Sequence, residues 1–252
     1  MAQTDPQILL DVFSAAGVAV RAAVGRMSDE QKQLRTGRVG QYGLDIVADG
    51  AALKHLRPTG AAIVSEESGF GGEEHAEITI VLDPIDGSTN CARGLSYYAT
   101  SIAALDADGL LCALVVNQAT GVEYRAVRGE GATRDGAAIK VSDVEDVADS
   151  VVALSGLPSR VLQWKQYRVL GCASLALCDL ATGGIDGYVD GGAWHAPWDY
   201  LGGQLMVQEA GGLIVDTRDQ ALAVSDPQVR RQLLAASTPK LLDSLRVAAG
   251  KR

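Results

Sequence analysis

The chain has 252 residues, 47% hydrophobic and 21% charged, enough apolar bulk to bury a core in one large domain or two packed subdomains. Its 22 Lys and Arg against 31 Asp and Glu leave a formal net charge of −9 with no basic run, so polyanionic nucleic acid and an anionic membrane are not expected partners. Cys91, Cys112, Cys172 and Cys178 form no CxxC pair, which argues against a zinc site or a disulfide framework and makes a reducing cytoplasm the simplest setting.

Leu9, Val12, Phe13, Ala16, Val20 and Ala23 recur at helical spacing, so a long helix is expected over 6–26. Asp11 and Arg21 interrupt it and no basic start or cleavage site frames it, so it reads as an amphipathic helix and not as a signal or a membrane anchor. Glycines from Gly37 to Gly43 break the pattern before a second helix over 45–56. A short strand, 61–64, then delivers Ser65-Glu66-Glu67-Ser68, and Gly69 to Gly72 reads as a loop.

The run Ile-Thr-Ile-Val-Leu over 78–82 reads as a buried strand that stops at Asp83-Pro84-Ile85-Asp86-Gly87-Ser88-Thr89-Asn90. Strands are expected at 98–105, 110–117, 122–127 and 150–154, and helices at 171–182 and 197–210. Strands at 185–189, 213–216 and 232–236 interleave with these helices, and a last helix covers 239–249. The order predicts an α+β part over 1–145 and a more α/β part over 146–252.

Acidic residues gather at three separated places: Glu66 with Glu67, Asp83 with Asp86, and Asp199. Each lies where a predicted strand ends or a predicted helix begins, so an apolar framework can aim them into one pocket. Grouped carboxylates repel unless cations sit between them, and ligation by oxygen alone suits Mg2+ or Mn2+. In the Asp83–Thr89 turn, proline stiffens the chain and the Ile85 carbonyl adds a third hard oxygen. Gly87 permits close backbone approach, while Ser88 and Thr89 can open a helix whose free N–H groups face an anion.

This turn resembles the hallmark motif of the inositol monophosphatase family. Ser65-Glu66-Glu67-Ser68 is similar to the family's Gly-Glu-Glu-Ser element, and Trp198-Asp199 followed by Glu209-Ala210-Gly211-Gly212 resembles its second motif. Arg128-Gly129-Glu130-Gly131-Ala132 and Ala181-Thr182-Gly183-Gly184-Ile185-Asp186 fit between them in order, so the resemblance spans about 5–245. It implies an α/β (α+β) sugar-phosphatase fold layered αβαβα, and a lithium-sensitive, Mg2+-dependent phosphomonoesterase working as a homodimer.

Carried over by position, the resemblance makes Glu66, Asp83, the Ile85 carbonyl, Asp86 and Asp199 the ligands of two or three Mg2+ ions. Asp49, Ser88 and Glu67 form the expected catalytic group, Ser88 and Asp49 standing for the family's water-activating Thr–Asp pair, with Asp45 as the alternative to Asp49. Gly87, Ser88, Thr89, Gly171, Cys172, Ala173 and Asp190 are the expected substrate contacts. Inositol-1-phosphate is the leading substrate. Histidinol phosphate, fructose-1,6-bisphosphate and 3′-phosphoadenosine-5′-phosphate are the alternatives, along with a poorly catalytic metal- or phosphate-binding relative.

The chain departs from the pattern at two places. Asp45-Ile46-Val47-Ala48-Asp49 is two residues shorter than the family's Asp-x-Val-Thr-x-x-Asp and lacks its threonine, and only Arg38 stands where a lysine-bearing loop is usual. Between Tyr188 and Trp198 the chain is two residues longer, which puts Gly191, Gly192, Ala193 and Trp194 at the substrate wall.

Overall fold

A computed structural model describes residues 4–73, 75–192 and 194–250. Helix α1, Pro6–Gly25, starts on an Asp5 cap and buries Leu9, Phe13, Ala16 and Val20. Among the described helices it is the one long and apolar enough by composition to cross a bilayer, yet here that apolar stripe lies in the core. Helices α2, Asp29–Gln33, and α3, Gly43–Leu56, follow, and α1 packs against α3.

Strands β1 (Ala62–Ser65), β2 (Gly69–Gly72) and β3 (Thr79–Asp86) come next, then the one-turn α4, Ser88–Ala92. The meander β4 (Ala99–Asp106), β5 (Gly109–Asn117), β6 (Glu123–Val127), β7 (Gly131–Arg134) and β8 (Ala137–Ala138) completes an eight-stranded sheet in the order β2-β1-β3-β4-β5-β6-β7-β8. Seven of the eight residues of β4 are buried, so helices must cover this sheet on both faces.

The second half supplies β9 (Val151–Ser155), β10 (Gln166–Arg168), α5 (Ala173–Ala181), β11 (Gly187–Asp190), α6 (Pro197–Glu209), β12 (Leu213–Asp216), β13 (Leu233–Ala236) and α7 (Pro239–Ala249). Its five strands run β10-β9-β11-β13-β12. Helices α1 and α3 cover one face of the first sheet, while α5 and α6 lie between the sheets and α7 closes the far side of the second. The layers are therefore αβαβα, as expected. Gly202 and Gly203 let α6 nest here, since a Cβ on either would come within 2.5 Å of Ser101 or Leu177.

Gly69–Gly72 corrects the sequence reading, because it is strand β2, paired antiparallel to β1, and not a loop. Its side chains are mostly exposed, so backbone pairing at a sheet edge holds it where side-chain pattern gives no signal. The short α2, β7, β8 and β10 were likewise not anticipated. The break between the sheets lies in 139–150, yet α5 and α6 from beyond it pack on the first sheet, so one continuous core joins the two parts.

Candidate functional site

Strand β3 pairs with β4 as far as Asp83, after which Pro84 and Ile85 stand against the single residue Thr100 before pairing resumes at Asp86. This bulge kinks the strand where the carboxylates lie. Thr100 Oγ1 donates to the Pro84 carbonyl at 2.8 Å and fixes the kink. Gly87 then turns with φ +84°, and a Cβ there would come 3.1 Å from the carbonyls of Gly171 and Tyr97, so only glycine fits.

Glu66 follows the end of β1, Asp83 and Asp86 flank the bulge, and Asp199 occupies the first turn of α6, where its Oδ2 accepts from the Ala196 amide at 2.7 Å. Asp86 Oδ2 accepts from the Ser174 amide at 2.7 Å, the Ser174 hydroxyl at 2.6 Å and the Cys172 thiol at 3.2 Å. One oxygen of Asp86 is thus saturated by the start of α5, which fixes the carboxylate plane.

These four carboxylates act on one another. Burial first, then the charges of Glu66, Asp86 and Asp199, holds Asp83 well above the usual carboxylate range. Burial, Asp199 and Glu67 push Glu66 up to about 8, and burial with Asp199 raises Asp86 despite its three donors. The fully buried Asp83 Oδ1 has no hydrogen-bond partner.

Hard oxygens, one of them bare and all mutually repelled, suit a divalent cation of the Mg2+ type. Among the described residues, however, no three His, Cys, Asp or Glu side chains close into a ready-made metal cage. The donor set fits the ion in the chemistry of its oxygens.

Asp45 and Asp49 lie one turn apart on α3 with different partners. Asp49 Oδ1 accepts from the Ser65 hydroxyl at 2.5 Å, whereas Asp45 Oδ2 caps the Tyr42 amide at 2.7 Å and its buried Oδ1 has no partner. Burial, with Glu67 nearby, raises Asp45 to about 7. Glu67 accepts from Gln41 and pairs with Arg38 at 3.6 Å. Arg38 also donates to the Glu66 and Glu67 carbonyls, so it bridges 36–43 to the end of β1.

Ser88 is half-buried at the start of α4, and the Thr89 hydroxyl lies 3.2 Å from the Tyr42 hydroxyl. Tyr42 in turn accepts from Arg35 at 2.8 Å. A cavity of about 300 Å³ opens beside Asp86 and Asp199, and Gly171, Cys172 and Ala173 line it. Asp190 is fully buried and does not line it; its Oδ1 accepts from the Gly192 amide at 2.8 Å, and its Oδ2 lies 4.0 Å from His195.

His195 is buried in the cavity wall, with Nε2 2.8 Å from the Tyr188 hydroxyl and Nδ1 3.6 Å from Asp199. Burial disfavours its charge, but Asp199 and Asp190 outweigh that and raise its pKa. Trp194 stands exposed at the mouth, and Ala193 lies outside the described residues. Sequence reading missed Tyr42, Ser174 and Tyr188. A serine within the apolar run Ala173–Ala181 was the one available sign.

The sequence profile of the inositol monophosphatase family matches residues 45–250. The chain is 34% identical over 212 residues to a fructose-1,6-bisphosphatase/inositol-1-monophosphatase of Archaeoglobus fulgidus, covering 80% of this chain and 82% of that one. It is 28% identical over 255 residues to the Nus factor SuhB of Pasteurella multocida, covering 92% and 94%. Among solved structures, inositol monophosphatase from Anabaena superposes with a TM-score of 0.79 at 25% identity, covering 96% of this chain and 95% of that one. A Pyrococcus horikoshii protein with similarities to inositol-1 monophosphatase gives 0.83 at 23% identity over 97% and 98%.

Proposed function

We propose a substrate and a mechanism from one premise: this chain belongs to the inositol monophosphatase family. It is a phosphatase of small phosphate esters, in a family that is metal-dependent, typically on Mg2+. The substrate assigned here is inositol-1-phosphate or a polyol monophosphate of similar size. The observation that carries this reading is the cluster Glu66, Asp83, Asp86 and Asp199, in which burial and neighbouring charge raise the pKa of the first three, and of which Asp86 and Asp199 line a cavity of about 300 Å³.

Glu66, Asp83, Asp86, Asp199 and the Ile85 carbonyl are the residues that would hold Mg2+. When bound, the ion lowers the pKa of water and neutralises phosphate charge. Asp45 takes the proton of the attacking water, in preference to Asp49. Its Oδ1 is unpartnered and its pKa of about 7 matches a neutral operating pH, whereas the Asp49 oxygen is engaged by Ser65. The Gly87–Thr89 turn holds the phosphate, with Tyr42 steadying Thr89. Ser174 and Cys172 keep Asp86 aligned. A cytoplasmic setting suits four buried free thiols, and the homodimer carries over from the family resemblance.

The test is phosphate release by the purified protein from inositol-1-phosphate, histidinol phosphate, fructose-1,6-bisphosphate and 3′-phosphoadenosine-5′-phosphate, with Mg2+ and with EDTA. Mg2+-dependent release, fastest from inositol-1-phosphate, is the expected result. Release confined to the adenosine compound overturns the substrate, and silence throughout overturns the mechanism.

A further inference from the structure

Apart from the substrate cavity, and sharing no lining residue with it, a cavity of about 210 Å³ lies where the last turn of α1 meets α2, the bulge of β3 and the residue that follows β5. Its polar members are Arg21, Lys32, Tyr98 and Gln118. Val24 and Ile85 are part of its apolar wall.

Arg21 is exposed and Lys32 half-buried, and among the described residues no carboxylate pairs with either. The Arg21 guanidinium rests on Gly121, where a Cβ would fall 1.8 Å from it, so the bare glycine gives the cation its seat. Gln118 is 4% exposed, and two bonds fix the orientation of its amide. Its Nε2 donates to the Gly17 carbonyl at 3.1 Å and to Thr100 Oγ1 at 2.7 Å, the hydroxyl whose own proton goes to the Pro84 carbonyl. Both partners accept, so the amide cannot turn over. Gln118 Oε1 is therefore left as a buried acceptor without a partner.

These features set two requirements on an occupant. The cations call for negative charge, and the orphaned oxygen calls for a hydrogen-bond donor. Sulfate meets the first alone and an ammonium group the second alone, whereas hydrogenphosphate meets both, since it keeps one O–H while carrying the charge of a dianion. We propose that this cavity is a second anion site, for a small oxyanion that carries its own O–H, with hydrogenphosphate as the type. Arg21, Lys32 and the Tyr98 hydroxyl donate to its charged oxygens, and Gln118 Oε1 accepts from its O–H. A volume of about 210 Å³ leaves room for several waters around the ion, at about 30 Å³ each. None of the carboxylates of the cluster takes part, so the proposal stands apart from the phosphatase reading.

The experiment is calorimetric titration of the full chain in EDTA at about pH 8 with inorganic phosphate and, separately, with sulfate, an oxyanion of like charge and size that has no O–H. Without metal the carboxylate cluster repels phosphate, so binding read there belongs to another site, and the readout does not depend on turnover. Phosphate should bind saturably with a Kd at or below about 1 mM, and sulfate about tenfold more weakly, the size of one hydrogen bond to a buried acceptor. Lys32→Ala and Arg21→Ala should each weaken phosphate by about fivefold or more and leave its preference over sulfate standing, because Gln118 sets that preference. No saturable binding by the natural chain overturns the proposal. Equal affinity for the two anions overturns the role of Gln118 and with it the assignment to an O–H-bearing oxyanion, and binding that neither substitution moves overturns the location.

Discussion

Asp83 and Asp216 are buried to nearly the same degree, 1% and 2% exposed, yet they are treated in opposite ways by their surroundings. Asp216, at the end of β12, accepts from the amides of Arg218 and Gln220 on one oxygen and of Gln232 on the other. Asp186 is similar, taking the Ser142 hydroxyl and the Val151 amide. Asp83 instead has a bare Oδ1 and faces Glu66, Asp86 and Asp199. Burial alone therefore does not identify a working carboxylate. A satisfied one holds loops to strands, and one left bare among its own kind waits on something positive.

The sharpest test exchanges one residue from each group. Asp83→Asn should lower kcat by at least about a thousandfold, the scale on which electrostatic groups of an active site act. Its thermal midpoint in EDTA should hold or rise, because a repelling charge has gone. Asp216→Asn should leave kcat near normal while costing about 1–3 kcal/mol, since its new NH2 group faces backbone donors. Near-normal turnover in Asp83→Asn, or an inactive but stable Asp216→Asn, would break the comparison.

The same contrast recurs on α3 at smaller scale. Asp45 has a bare oxygen and Asp49 a satisfied one, so Asp45→Asn should slow turnover about a hundredfold or more, with substrate KM little changed. Asp49→Asn should stay within a few-fold of the natural chain. The reverse ranking would return the water-orienting role to Asp49.

Metal-free stability gives a third test, with a definite sign. Folded Glu66 at about 8 and Asp45 at about 7 lie above their unfolded values of roughly 4. Between those limits the folded chain holds protons that the unfolded chain has released, so stability is lost as pH rises through the window. The thermal midpoint in EDTA should fall from pH 5 to pH 8.5, and saturating Mg2+ should remove most of that slope. A flat or rising midpoint in EDTA would show that the cluster is not the electrostatic burden described here.

Strand ends and helix starts were legible in the sequence, because hydrophobic runs stop at Glu66 and Asp83 and a helical pattern opens around Asp199, and the layered core follows from those runs. Strand β2 was not legible, since its glycine-rich edge is held by backbone pairing with β1. The choice between Asp45 and Asp49 was open for a related reason: they are four residues apart, so helical periodicity puts both on one face. What separates them is a hydroxyl from Ser65, sixteen residues on.

Asp86 is the intermediate case between the two kinds of aspartate, and Ser174 is what makes it so. Its Oδ2 is as well satisfied as any oxygen of Asp216, while the cluster still raises its pKa. The serine thus does not quench the carboxylate but fixes its plane, leaving the other oxygen for the cation proposed above. Ser174→Ala removes the 2.6 Å bond and keeps the 2.7 Å bond from the backbone amide, so alignment should loosen without collapse. The Mg2+ concentration for half-maximal activity should rise about three- to tenfold, matching the roughly 1 kcal/mol of one hydrogen bond, while kcat at saturating Mg2+ stays near normal. An unchanged Mg2+ requirement would mean that the start of α5 holds Asp86 through its backbone alone, and that Asp86 is closer to Asp216 than to Asp83.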